Sequence, residues 1–162
     1  MGVGRSKPEF DVKQYYGRWY EVARTPNPFQ TNCQFSFADY VPAVFEPNGP
    51  LTVINTCFYR DLQTRETRSY TVVGQATLNT DKQLIVRFNY QSSTWESQFI
   101  PSTTSHYNVY WTDYINYSFV GNGTSFWILS RKPRTDAQEL ETLLEKAVAL
   151  GVDRSRIIVS RV

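Results

Sequence analysis

Eight short segments of this chain alternate apolar and polar residues, and turn-favouring residues separate them. This pattern constrains the fold more than any other feature, because successive side chains of a strand point to opposite faces and a period of two gives one apolar face. The alternation predicts strands near 18–25, 34–45, 51–59, 68–77, 83–90, 106–113, 115–121 and 125–131. Pro47-Asn48-Gly49-Pro50, Asn79-Thr80-Asp81-Lys82 and Gly121-Asn122-Gly123 read as hairpin turns, since Gly and Asn reach positive φ at little cost. Eight strands in succession fit an up-and-down antiparallel barrel or a sandwich. Long alternating strands with no Cys–Trp–Cys core pattern favour the barrel.

One helix is expected after the last long strand. Thr135 is its expected cap, with Gln138 completing a capping box, while Asp136 and Glu139 suit the positive end of the dipole. Leu140, Leu143, Leu144, Ala147 and Val148 form one apolar stripe that should pack on the outside of the sheet, and Gly151 should end the helix. Ile157-Ile158-Val159 reads as a short final strand.

A length of 162 residues fits a single domain, placed here at 10–162, with a small, polar and basic tail over 1–9. The 10 Phe, 11 Tyr and 4 Trp are enough rings to cover a sheet and still line a pocket. A net charge of +2 with intermixed signs, and no nucleic-acid motif, argues against a nucleic-acid partner. No apolar run approaches the ~20 residues of a membrane-spanning helix. The first nine residues lack the apolar centre of a secretory signal, which leaves either a trimmed secreted or periplasmic form or a cytosolic protein. His106 is the single histidine, expected near the rim of the sixth strand. No grouping of His, Cys and carboxylates has metal-ligand spacing, so neither metal nor cofactor is expected.

Three short pieces far apart in the chain carry a more specific message. Gly17-Arg18-Trp19 opens an apolar strand, Thr112-Asp113-Tyr114 ends one, and Arg131 closes the last long strand. In a sheet that closes on itself, Trp19 and Arg131 could meet, and a guanidinium stacked over an indole would plug one end of a barrel. In this order and spacing, Gly17, Trp19, Thr112, Asp113, Tyr114 and Arg131 resemble the signature of the lipocalin family. The resemblance runs from about Phe10 to Val159, and Gly17-Arg18-Trp19-Tyr20-Glu21-Val22-Ala23-Arg24 looks most like the bacterial outer-membrane and apolipoprotein D branch.

With Trp19 and Arg131 at the closed end, the Pro26–Asn32 loop sits at an open mouth, joined there by the loops near 60–68, 90–105 and 121–125. Counting by two from Trp19 points Glu21 and Ala23 inward, and counting back from Arg131 does the same for Leu129 and Trp127. The resemblance adds Ser36, Ala38 and Tyr40; Val53, Asn55 and Cys57; Leu84, Val86 and Phe88; Tyr107, Val109 and Trp111; and Asn116, Ser118 and Val120. Small residues among these rings would leave a hollow, and an eight-stranded barrel is wide enough to hold one small ligand. Glu21 is the oddest of the set, because a carboxylate in an apolar pocket is costly unless paired. It reads either as a hydrogen-bonded structural acid or as a selector of ligand polarity.

Cys33 and Cys57 lie 24 positions apart, both toward the mouth. A disulfide, which relatives with a matching pair are taken to form, would imply an oxidising compartment. Two buried thiols, or Cys57 as a nucleophile in the cavity as in isomerising members of the family, are the other readings. Phe29, Trp95, Phe99 and Ile100 are candidate mouth residues that gate the cavity or touch a membrane, with Arg60, Arg65 and Arg68 beside them. Asn122-Gly123-Thr124 fits a glycosylation acceptor, whereas Asn116-Tyr117-Ser118 also matches but has its Asn predicted inward.

The resemblance implies a non-enzymatic carrier of one fatty acid, lysophospholipid or sterol-like lipid. The implied contacts are Glu21, Ala38, Tyr40, Val53, Asn55, Val86, Phe88, Tyr107, Val109, Trp111, Asn116, Trp127 and Leu129. A lipid-modifying enzyme using Cys57, and a membrane- or protein-docking module using the aromatic mouth, stand as alternatives. Outer-membrane members carry an N-terminal lipid-attachment Cys that is absent here, which puts anchoring in doubt.

Overall fold

Alternation along the chain becomes a closed barrel in the computed structural model, which describes residues 10–27, 30, 32–42, 50–78, 84–88 and 105–160. A one-turn helix α1 (Val12–Tyr15) leads into β1 (Gly17–Arg24), followed by β2 (Phe35–Pro42), β3 (Leu51–Arg60), β4 (Thr67–Leu78) and β5 (Leu84–Phe88). Then come β6 (Ser105–Thr112), β7 (Tyr117–Gly121), β8 (Phe126–Ser130), helix α2 (Ala137–Ala149), a 3-10 turn (Arg154–Arg156) and β9 (Ile158–Val159). Each strand from β2 to β8 pairs antiparallel with the next, β8 pairs with β1, and β1 pairs back onto β2. The ring of eight is therefore closed, which removes sheet edges, and β9 adds outside on the upper end of β1.

Most predicted strands agree to within a few residues, with β7 beginning at Tyr117 rather than 115; the predicted end of the second strand at 43–45 lies outside the described residues. The turns at 47–49 and 79–82 and the 1–9 tail lie outside the described residues. In the 121–125 turn, Asn122 Oδ1 accepts from the backbone N–H groups of Thr124 and Ser125, and Gly123 holds a φ of 92°. Helix α1 was not expected; Asp11 caps it, its carboxylate accepting from the N–H of Lys13.

Apolar side chains divide into two clusters. Inside the barrel, Val12, Tyr15, Trp19, Ala38, Tyr40, Leu51, Val53, Ala76, Leu84, Tyr107, Val120 and Leu129 pack together. Outside, Val22, Ala23, Phe119, Phe126 and Ile128 meet Leu143, Leu144 and Ala147 of α2. The helix stripe thus covers the wall as its periodicity predicts, except that Val148 is exposed. The N-terminal cap is also displaced by one residue: Asp136, not Thr135, has extended geometry, and its carboxylate accepts from Glu139 N–H at 2.7 Å. The predicted box with Gln138 does not form, and Glu139 accepts instead from the Tyr117 hydroxyl at 2.8 Å. At the far end, Val152 N–H bonds to Ala147 O and Gly151 N–H to Val148 O around a φ of 100° at Gly151, the paired bonds of a Schellman motif.

Two bulges decide which way side chains face. The β1–β8 register shifts between Glu21 and Ala23, and the β6–β7 register shifts between Val109 and Trp111. One extra residue in a strand sends every later side chain to the opposite face. Ala23, predicted inward, therefore belongs to the outer cluster. Trp111, also predicted inward, packs outside against Phe119 with its ring 3.1 Å from Lys146 Nζ of α2.

Candidate functional site

The closed end of the barrel is built from Arg131, Trp19 and α1. Arg131 lies at the end of β8, its guanidinium 3.7 Å over the Trp19 ring. Its three nitrogens donate to main-chain carbonyls: Nε to Tyr114 at 3.1 Å, Nη1 to Arg18 at 3.1 Å and Nη2 to Gln14 at 2.9 Å. One planar cation thus ties β1, the β6–β7 turn and α1 together, which a single ammonium could not do. Gly17, with a φ of 102°, lets the chain pass beneath; a Cβ there would lie 3.3 Å from Arg131 Nη1. The β6–β7 turn is organised by Asp113, whose Oδ1 accepts N–H bonds from Ile115, Asn116 and Tyr117. Burial pushes the Asp113 carboxyl up, but the Tyr117 and Asn116 donors outweigh it and hold it below its ordinary value. Thr112 Oγ1 donates to Tyr117 O at 2.8 Å, and Tyr114 takes a positive φ of 65°.

Above this floor stand buried phenols. Tyr15 stacks on Trp19 and meets Tyr40 edge-on, and the Tyr15 hydroxyl bonds to Ser118 Oγ at 2.6 Å. The Tyr40 and Tyr107 hydroxyls bond to each other across the interior. Burial, then the neighbouring phenol, pushes Tyr15 and Tyr40 well above the ordinary tyrosine value, so both stay neutral.

The barrel encloses a cavity of about 100 Å³. Single-water cavities need only ~10–15 Å³. Trp19, Tyr40, Tyr107, Trp127, Leu129, Ala38, Val72 and Val120 supply its apolar wall, while Ser36, Asn55, Glu21, Asn27 and Gln30 supply polar atoms. Glu21 is 2% exposed and is fully paired: Oε2 accepts from Arg24 Nη1 and Ser160 Oγ, each at 2.8 Å, and Oε1 accepts from Gln30 Nε2 at 2.9 Å. These bonds fit a hydrogen-bonded structural acid, with Arg24, Ser160 and Gln30 as its partners. The bulge at Val22 turns Arg24 toward the mouth, and Arg24 Nη2 donates to the carbonyls of Gln30 and Cys33.

Seen residue by residue, the cavity brings together the predicted Glu21, Ala38, Tyr40, Asn55, Tyr107, Trp127 and Leu129. Val53 and Val109 pack in the same interior cluster without lining the cavity. Trp111 is excluded by the β6 bulge. Asn116 is excluded because it sits in the β6–β7 turn, exposed, with its side chain on Asp113. The backbone of Val86 pairs with Ala76 and Tyr107, and that of Phe88 with Gly74 and Ser105; the side chains of Val86 and Phe88 lie outside the described residues, as do Phe29, Trp95, Phe99 and Ile100. Arg68, offered for anionic head groups, pairs with Asp61 at 3.1 Å. Sequence reasoning missed Gln30, Arg24 and Val72. Gln30 lies in a loop where periodicity says nothing, and Arg24 became visible only through the bulge.

Cys33 and Cys57 form a disulfide with Cα atoms 5.7 Å apart, tying the β1–β2 loop to β3. Cys57 therefore carries no free thiolate, and the nucleophile reading falls.

A closed eight-stranded calyx with an arginine–tryptophan floor and one outer helix defines the class of protein. Residues 10–161 match the model of the lipocalin-like domain, and the chain belongs to the lipocalin family. Over 157 residues it is 29% identical to the outer membrane lipoprotein Blc of Vibrio cholerae, covering 93% of this chain and 81% of that protein. Mouse apolipoprotein D is 32% identical over 155 residues, covering 89% of this chain and 72% of that protein. Insecticyanin from the tobacco hornworm Manduca sexta superposes with a TM-score of 0.65 at 17% identity, over 95% of this chain and 82% of that one, a likeness of fold. Lipocalins in general bind small hydrophobic ligands and are not enzymes.

Proposed function

We propose that this protein takes up one lipid reversibly, of the fatty acid, lysophospholipid or sterol-like kind, with the apolar body in the calyx and the polar end toward the mouth. The observation that carries the reading is the polarity gradient of the cavity. Trp19 and Tyr40 line its closed part, Glu21 and Leu129 pair across β1 and β8 above them, and Gln30 and Asn27 of the β1–β2 loop line its mouth. Each methylene moved from water into such a wall contributes ~0.8 kcal/mol, so a medium chain gives useful affinity after the entropy of association is met. Trp127 is the central contact, because its ring meets Tyr107 at 5.8 Å between centroids and its N–H reaches the mouth residue Gln30. The Cys33–Cys57 bond supports residence in an oxidising compartment.

Two measurements test the reading. Organic extraction of the purified protein followed by mass spectrometry is expected to show a co-purifying lipid. Titration with a neutral apolar fluorophore is expected to saturate at one site and to be displaced competitively by that lipid. Absence of saturable fluorophore binding in the lipid-free protein would sink the calyx reading.

A further inference from the structure

At the mouth of the calyx, against the wall of β8, β1 and β2, lies a side chain whose hydrogen bonding is complete. Gln30 Nε2 donates to Glu21 Oε1 at 2.9 Å and to Ser36 Oγ at 3.3 Å. Gln30 Oε1 accepts from Trp127 Nε1 and from Asn27 Nδ2, each at 2.8 Å. A carboxamide has two donors and two acceptor lone pairs, and all four are used here. The backbone under it is held: Arg24 Nη2 bonds the Gln30 carbonyl at 2.9 Å and the Cys33 carbonyl at 2.7 Å, and Cys33 is bonded to Cys57 on β3. Displacing the carboxamide therefore takes rotation about the torsions of the side chain itself.

We propose that Gln30 determines ligand specificity: its carboxamide occupies the position of a ligand's polar head, and the calyx selects neutral heads that both donate and accept over ionised carboxylates. The inference rests on the calyx binding a lipid at all.

The argument follows from what rotation of Gln30 leaves behind. Trp127 Nε1 then needs an acceptor, Glu21 Oε1 needs a donor, and Ser36 can serve either way. A primary amide supplies all of these, and a hydroxyl supplies a donor and an acceptor. A carboxylate supplies no donor and brings a second negative charge to the Glu21 side chain, which is only 2% exposed. A buried acceptor left unmatched is costly, and two like charges at close range cost more. The Arg24 charge lessens this repulsion but gives a ligand carboxylate no hydrogen bond, since Nη1 is taken by Glu21, Nη2 by carbonyls, and the residue does not line the cavity. Its Nε has no partner among the described residues and is buried.

The test displaces neutral N-phenyl-1-naphthylamine from the lipid-free protein at pH 7.5 with decanamide, 1-decanol and sodium decanoate, matched in chain length. Decanamide and decanol are expected to compete at roughly tenfold lower concentration than decanoate, the loss anticipated for one unmatched buried hydrogen bond. In Gln30→Ala, decanamide affinity should rise several-fold because nothing has to be expelled; decanoate should gain for the same reason and keep its handicap relative to decanamide. In Glu21→Gln, checked for folding by circular dichroism, the handicap of decanoate should shrink. Decanoate competing as well as decanamide in the wild type overturns the proposal while leaving the calyx reading intact. Decanamide affinity unchanged in Gln30→Ala overturns it too. Failure of the fluorophore to bind at all removes the calyx reading itself.

Discussion

Replacing Arg131 by alanine removes two kinds of interaction from the closed end of the barrel. The first is the stack on Trp19 at 3.7 Å, where the indole is fully buried and the cation partly so; such contacts contribute about 1–2 kcal/mol. The second is three bonds to the carbonyls of Tyr114, Arg18 and Gln14. Two of these lie at an exposed edge where water replaces the donor, so about 0.5 kcal/mol each is a fair net value. The total is about 3 kcal/mol. With a urea dependence of ~2 kcal/mol per molar, the unfolding midpoint should fall by about 1.5 M. Tryptophan emission should also shift to the red as α1 loosens and water reaches Trp19. Arg131→Lys should recover only part of the loss, because one ammonium cannot lie flat on the indole and reach three carbonyls. A midpoint for Arg131→Ala within ~0.3 M of the wild type, with unchanged emission, would refute the floor as a structural keystone.

Other outcomes follow from the same geometry. Trp127→Ala should weaken binding of an apolar fluorophore, whereas Trp111→Ala should lower stability by about 3 kcal/mol and leave affinity alone, since Trp111 lies under α2; equal effects on affinity would contradict the assigned faces. Replacing both Cys33 and Cys57 by serine should cost about 3–4 kcal/mol, measured by urea unfolding, because the bond closes a 24-residue span. Burial and the bond to Glu139 push the Tyr117 phenol up to about 12. The unfolded phenol ionises first, near pH ~10, so this contribution is full below pH 10 and is lost as the pH rises toward 12. Tyr117→Phe should flatten the fall of stability in that window, and an unchanged slope in urea midpoints would count against the Tyr117–Glu139 bond.

Period-two alternation, read from the amino acids alone, determined the succession of antiparallel strands and favoured a barrel over a sandwich, and the helical stripe from Leu140 to Ala147 determined that a helix lies on the outside of the sheet. Gly17, Trp19 and Arg131, though distant in sequence, could be assigned to one end through their resemblance to the lipocalin signature. The tertiary structure alone decided the rest. Bulges at Val22 and Tyr110 turned Ala23 and Trp111 outward and Arg24 toward the mouth, and a count by two cannot see an inserted residue. Gln30 stands at the mouth because Arg24, a disulfide and four partners from β1, β2, β8 and its own loop converge on it. Local sequence sets which face a strand presents, but where a loop side chain finds its partners depends on which strands the closed barrel brings together.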